Sequence, residues 1–257
     1  MGERGVYLYA VGLAAAPPPL DDVVGLADEP VYAVTHGALV AAVSAVSLAE
    51  FGEEALRRNL EDLDWLAGVA RRHDSVVQQL AHEATVAPSR LATIFFDDRA
   101  VQRRLEQDAS ALAEALRRID GRHEWSVKAY SPAASSTDPA QAGEASGSEE
   151  TGTAYLQRRR RERTQQEQDA RSASVAAEAL HEGVGRQTAA SRRLPPQDPR
   201  LSGHDGQMVL NGAYLVDDAR ASEFRDIVGG LAADHPGLRI EVQGPWPPYS
   251  FATLEAG

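Results

Sequence analysis

The sequence predicts an α+β protein: a ferredoxin-like N-terminal domain with a mainly antiparallel sheet, then a long helix and a smaller α/β C-terminal module. Three observations predict it. Runs rich in valine and tyrosine recur at both ends of the chain, as strands require. A helical period carries the apolar residues from Glu53 to Ala84. Between Ser131 and Gly152 almost nothing is apolar, so a linker divides the ordered regions.

Val6-Tyr7-Leu8-Tyr9-Ala10-Val11 reads as the first strand, and prolines at Pro17, Pro18 and Pro19 turn the chain after it. Val31 to Val34 and Leu39 to Val43 flank His36-Gly37 as a hairpin. Leu56, Leu60, Leu63, Ala67, Ala70, Val77, Leu80 and Ala84 then mark the apolar face of one long amphipathic helix. Leu91 to Phe96 reads as a buried strand. Asp97 or Asp98 caps a second helix with Val101, Leu105, Leu112, Leu116 and Ile119 on one face, and Gly121 ends it. Trp125 to Tyr130 adds a strand, which completes a domain over residues 1–130.

Residues 131–152 are expected to be a disordered linker, and residues 153–257 to hold the rest. Thr153 to Arg193 has helical composition but is polar on every side around Gln157 to Asp169, as in a helix exposed to solvent or supported by a partner. Val209 to Val216, a short helix with Phe224, Ile227, Val228 and Leu231, and Leu238 to Val242 make a strand, helix, strand module.

A net charge of −12 over 257 residues disfavours nucleic acid and anionic lipid as partners. The absence of cysteine removes disulfides, thiolate nucleophiles and sulfur-bound zinc. The apolar run from Val6 to Ala16 does not read as a signal peptide, because Glu3 offsets Arg4 and Pro17 blocks cleavage after Ala16. No stretch approaches the ~20 apolar residues of a membrane span.

No catalytic or cofactor constellation emerges. A phosphate loop is missing, Gly183-Val184-Gly185 stands alone in polar helix, and His73 and His82 fall on opposite sides of one helix. His73 reads as a boundary residue. The expectation is therefore a non-enzymatic protein with no cofactor. Arg158 to Arg161 with Arg163 is the one basic concentration, and its spacing from Glu162 and Glu167 suits a solvated face or an acidic partner.

The richest string is Gly244-Pro245-Trp246-Pro247-Pro248-Tyr249-Ser250-Phe251. Proline fixes φ and removes a donor, so the segment is expected to leave the sheet and run extended. Trp246, Tyr249 and Phe251 then either close the protein's own core or anchor a partner.

These motifs resemble the gas vesicle protein F/L family. The resemblance rests on the opening strand, Arg72-His73-Asp74-Ser75-Val76-Val77, Pro88-x-Arg90-x-x-Thr93, Trp125-Ser126-Val127-Lys128, Tyr155-Leu156-x-Arg158-Arg159, Asn211 to Val216 and the closing string. Ala92 departs from it, standing where the family usually has glycine. The resemblance implies a cytoplasmic, vesicle-associated protein that binds the hydrophobic shell protein and limits its aggregation, with other gas vesicle accessory proteins as further partners. It marks Trp246, Tyr249, Phe251, Arg90, Tyr155 and Arg158 as partner-binding or packing residues. A small-molecule-binding regulatory module is the alternative, by analogy with ferredoxin-like sheets.

Overall fold

The computed structural model describes residues 3–132, 152–197 and 206–252. The chain divides into two compact units, Met1–Glu124 with Pro245–Gly257, and Trp125–Gly244. The division falls at Glu124 rather than after Tyr130, and the closing string returns to the first unit. The expected linker lies almost wholly outside the described residues.

The first unit is built from β1 (Arg4–Leu13), β2 (Tyr32–His36), β3 (Leu39–Ser47), α1 (Leu48–Phe51), α2 (Glu53–Asn59), α3 (Leu63–Glu83), β4 (Val86–Pro88), β5 (Ile94–Phe95), α4 (Asp98–Gln107) and α5 (Ala109–Ile119). Its sheet has the order β2-β3-β1-β4, with β5 also on β1, and its paired strands are antiparallel. Three strands in succession precede the first long helix, so the ferredoxin-like order expected here is not the order observed.

β1 is the hub. Its register with β3 slips between Leu8 and Ala10, a bulge that places Tyr9 opposite no partner. The bulge inverts the strand's alternation. Tyr7, Tyr9 and Ala10 join the core cluster with Val69, Val76, Val77 and Leu80 of α3, whereas Leu8 and Val11 line the opposite side with Leu105 and Leu112. Both faces are thus covered, which explains why β1 is buried along most of its length.

The single long helix expected from Glu53 is two helices. Asp62 breaks it by accepting hydrogen bonds from the backbone N–H of Asp64 (3.0 Å) and Trp65 (3.1 Å), an N-cap for α3. α3 consequently buries Val69, His73, Val76, Val77 and Leu80, while Leu63, expected on the apolar face, is 75% exposed. His73 is a core residue at 3% exposure, not a boundary one. Asp97 caps α4 through the Ala100 N–H (2.7 Å). The strand expected at Leu91 to Phe96 shrinks to β5, and Phe96 is 83% exposed.

The second unit uses β6 (Arg122–Tyr130), α6 (Gly152–Gly185), β7 (Ala190–Arg193), β8 (Met208–Asp217), α7 (Ala221–Ala233) and β9 (Arg239–Trp246). The element order is strand, helix, strand, strand, helix, strand, and the sheet order is β7-β8-β6-β9. This is the ferredoxin-like arrangement. It belongs to the second unit, with Trp125–Tyr130 as its first strand. Trp125, Val127 and Ala129 alternate inward on β6 and pack with Ala177, Leu180 and Val184 of α6, Tyr214 of β8, and Phe224 and Val228 of α7. Gly183 marks a close approach: a Cβ there would sit 3.2 Å from Leu231.

β9 continues through Pro245 to Trp246, further than expected, and the chain then forms the helical turn α8 (Tyr249–Ala252) instead of an extended segment. Within β9, Gly244 adopts φ of 140°, a conformation that glycine takes without strain.

Candidate functional site

Four of the six residues singled out from the sequence belong to the first unit: Arg90, Trp246, Tyr249 and Phe251. Tyr155 and Arg158 belong to α6 in the second, where the Arg158 guanidinium lies 5.7 Å from the Tyr155 ring centre on an exposed helix.

The site in the first unit starts from a loop on the edge of β1 opposite β3, between β4 and β5. β4 pairs Pro88 with Ala10, and β5 pairs Ile94 with Tyr7, so residues 89–93 span only Leu8 and Tyr9 on β1 and must bulge outward. The loop is pinned at several points. Ser89 N–H donates to the Tyr9 carbonyl (2.9 Å) and its hydroxyl to the Leu8 carbonyl; Leu8 N–H donates to the Thr93 carbonyl (2.9 Å); the Thr93 hydroxyl donates to the Arg90 carbonyl (2.7 Å). Arg90 is presented to solvent and makes no ion pair among the described residues.

Beneath the loop the Tyr7 hydroxyl accepts from Ala92 N–H (2.9 Å) and shares a second hydrogen bond with His73 Nδ1 (3.1 Å). His73 Nε2 is buried and has no hydrogen-bond partner among the described residues. Burial opposes the charged ring and lowers its pKa to about 4, with the Asp74 carboxylate and the Ser89 backbone offsetting only part of that. Burial likewise pushes the phenols of Tyr7 and Tyr249 well above the usual tyrosine range. Tyr9 uses its hydroxyl as a second pin, accepting from Leu26 N–H (2.7 Å) and sharing a hydrogen bond with Ser44 (2.8 Å).

The closing string docks on the same framework and divides by role. Tyr249 donates to Asp74 Oδ1 (3.3 Å) and sets its ring 6.2 Å from that of His73. Ser250 donates twice to the Glu124 carboxylate, from its backbone N–H (2.7 Å) and its hydroxyl (2.6 Å). Phe251 is buried. Trp246 is 43% exposed, so it is the one aromatic of the three turned to solvent.

Two clefts border the loop. One of about 370 Å³ has aliphatic walls from Val11, Pro88, Ile94, Val101, Leu105 and Leu112, with Ala252 of α8 beside them. Its charged groups are Arg90 and the paired Arg104 and Asp108. The other, of about 360 Å³, is lined by His73, Asp74, Arg90, Leu91 and Tyr249, so Arg90 serves both. The arrangement offers apolar contact with a cationic group alongside. His73 and Tyr7 escaped sequence reasoning as site residues; the signal was the spacing of Val69, His73 and Val76 behind the Asp62 cap.

Among the described residues no group of three or more histidines or carboxylates could hold a metal, and no helix is long and apolar enough to cross a membrane. The family model described as "Gas vesicle synthesis protein GvpL/GvpF" matches residues 5–253. Gas vesicle protein L of Streptomyces sp. (strain CB03234) is 42% identical over 98% of this chain and 94% of its own length. Gas vesicle protein F1 of Halobacterium salinarum is 25% identical over 97% and 94%. The crystal structure of GvpF from Anabaena sp. PCC7120 superposes with a TM-score of 0.65 at 20% identity, covering 98% of each chain, and so shares the fold. The chain belongs to the GvpL/GvpF family of gas vesicle proteins, which gives it a role in gas vesicle formation.

Proposed function

We propose that the protein serves vesicle formation by binding the hydrophobic shell protein before it assembles, limiting its aggregation, without catalysis and without a cofactor. It works in the cytoplasm and stays associated with the gas vesicle, alongside other gas vesicle accessory proteins. A subunit destined for a gas-tight wall exposes apolar surface until it is incorporated, and a soluble acidic partner with an apolar cleft covers that surface. The observation that carries the reading is the cleft of about 370 Å³ between the 89–93 loop, α4 and α5, with Ala252 of the closing helix at its side. Trp246, exposed in the same unit, extends the contact.

Co-expression with the shell protein tests it. The expected result is a soluble shell protein that co-migrates with this chain, and weaker capture by Trp246→Ala and by Ile94→Gln. Aggregation of the shell protein with no association to the intact chain overturns it.

The cleft volume also favours a second reading, since about 300–1,000 Å³ is the range of small-molecule sites. A regulatory ligand would raise the melting temperature in proportion to the logarithm of its concentration above Kd. A thermal-shift screen against nucleotides and amino acids separates the two.

A further inference from the structure

The N-terminal half of α6 buries no side chain among the described residues. Every residue from Tyr155 to Ser172 is exposed, and burial begins only near Ala177. At 1.5 Å per residue this arm is about 27 Å long. Six arginines stand on it against Glu162, Glu167 and Asp169, so the arm is cationic on a chain of net charge −12. Arg158 pairs with Glu162 (3.7 Å) and Arg163 with Glu167 (3.1 Å), but Arg159, Arg160 and Arg161 carry no ion pair among the described residues. Leu156, 67% exposed, shares a helix face with Arg159, Arg160 and Arg163.

The first unit carries the complementary surface. Where the chain breaks between α2 and α3, Leu60 and Leu63 are 42% and 75% exposed. Glu54, Glu61 and Asp64 are exposed around them and carry no ion pair among the described residues. Arg57 is paired with Glu53 and Arg58 is the one other basic group there, so the corner stays acidic, and its exposed leucines among carboxylates match leucine among guanidinium groups on the arm.

We infer that the arm of one copy docks on the α2–α3 corner of a second copy of this chain. The match of charge selects this occupant, because the acidic surface that the arm requires is carried by the chain itself. An isolated polar helix of this length is marginal in water, and docking would support it. Exposed ion pairs contribute at most about 1 kcal/mol each, so the contact is weak, salt-sensitive and dependent on several pairs together. Reciprocal exchange of arms closes a two-fold dimer, whereas one-way docking propagates a chain of copies.

Sedimentation velocity of the nuclease-treated full chain, without shell protein, tests the inference independently of the shell-binding reading. Association that rises with protein concentration at low salt is expected, and its loss at about 1 M salt, where the screening length is about 3 Å. Arg159→Glu with Arg160→Glu should weaken it about tenfold or more, the equivalent of about 1.4 kcal/mol. Glu61→Arg with Asp64→Arg should do the same, and the four changes together should restore it. A monomer at every concentration overturns the inference. So does association that survives either pair of reversals, or a fourfold variant that stays as weak as its parents.

Discussion

Ala92 donates its backbone N–H to the buried hydroxyl of Tyr7 at 2.9 Å, and does so from a left-handed conformation with φ of 60°. The left-handed turn aims the loop's N–H back into the core, and the phenol relays the hydrogen bond to His73. A Cβ in that conformation costs roughly 1–2 kcal/mol, a strain that glycine avoids. Ala92→Gly should therefore stabilise the protein by about 1 kcal/mol, less the entropy of the freer unfolded chain. Tyr7→Phe should cost roughly 1–3 kcal/mol, because it strands the Ala92 N–H and His73 Nδ1 in the core. Urea midpoints of the two variants check both signs.

His73 makes stability depend on pH. Its pKa falls from an ordinary 6.5 to about 4 through burial, so between these values the unfolded chain binds the proton and the folded one does not. Stability from this group is fully present above pH 6.5 and is lost as pH falls toward 4, by up to about 3 kcal/mol at 1.36 kcal/mol per unit. Chemical denaturation at pH 7 and pH 5 should show the loss, and His73→Phe should shrink the difference even if it lowers stability overall.

The closing string should split by residue. Phe251→Ala removes a buried ring and should cost about 3–5 kcal/mol. Trp246→Ala changes an exposed side chain and should stay within about 0.5 kcal/mol in stability. Denaturation of the two variants reads the split directly, and equal losses would show Trp246 to be core.

Along α6 the cost of truncation should rise sharply toward the C-terminus. Leu180→Ala opens the second core and should cost about 2–5 kcal/mol. Val175, only five residues earlier but 71% exposed, should be close to neutral on truncation. Thermal unfolding of both variants checks the gradient.

Much of this architecture was legible in the sequence. Tyr7 and Tyr9 announce a strand by alternation, Asp97 announces its cap, and the polar surround of Gln157 to Asp169 announces a helix without a core face. The assignment of strands to sheets was not legible, because Trp125 to Tyr130 has the same local pattern whichever sheet it joins. The ferredoxin-like order was consequently placed one unit too early. The face of α3 was misread because Leu56, Leu60 and Leu63 set the helical phase across a break, and Asp62 restarts that phase. The string's roles depend on α8, since a single helical turn after Pro248 decides which ring turns inward. The sequence motif marks the segment but not that rotation.

The pairing of Ser250 with Glu124 joins residues 126 positions apart within the first unit. The ribosome makes the whole second unit between these two partners. A nascent chain therefore holds an unfinished first core, its β1 edge lacking Phe251 and Ala252, while the ferredoxin-like unit is already free to fold. The first unit is completed only after the second has been made, so a chain stalled or truncated before Tyr249 would expose the apolar edge that Phe251 and Ala252 cover.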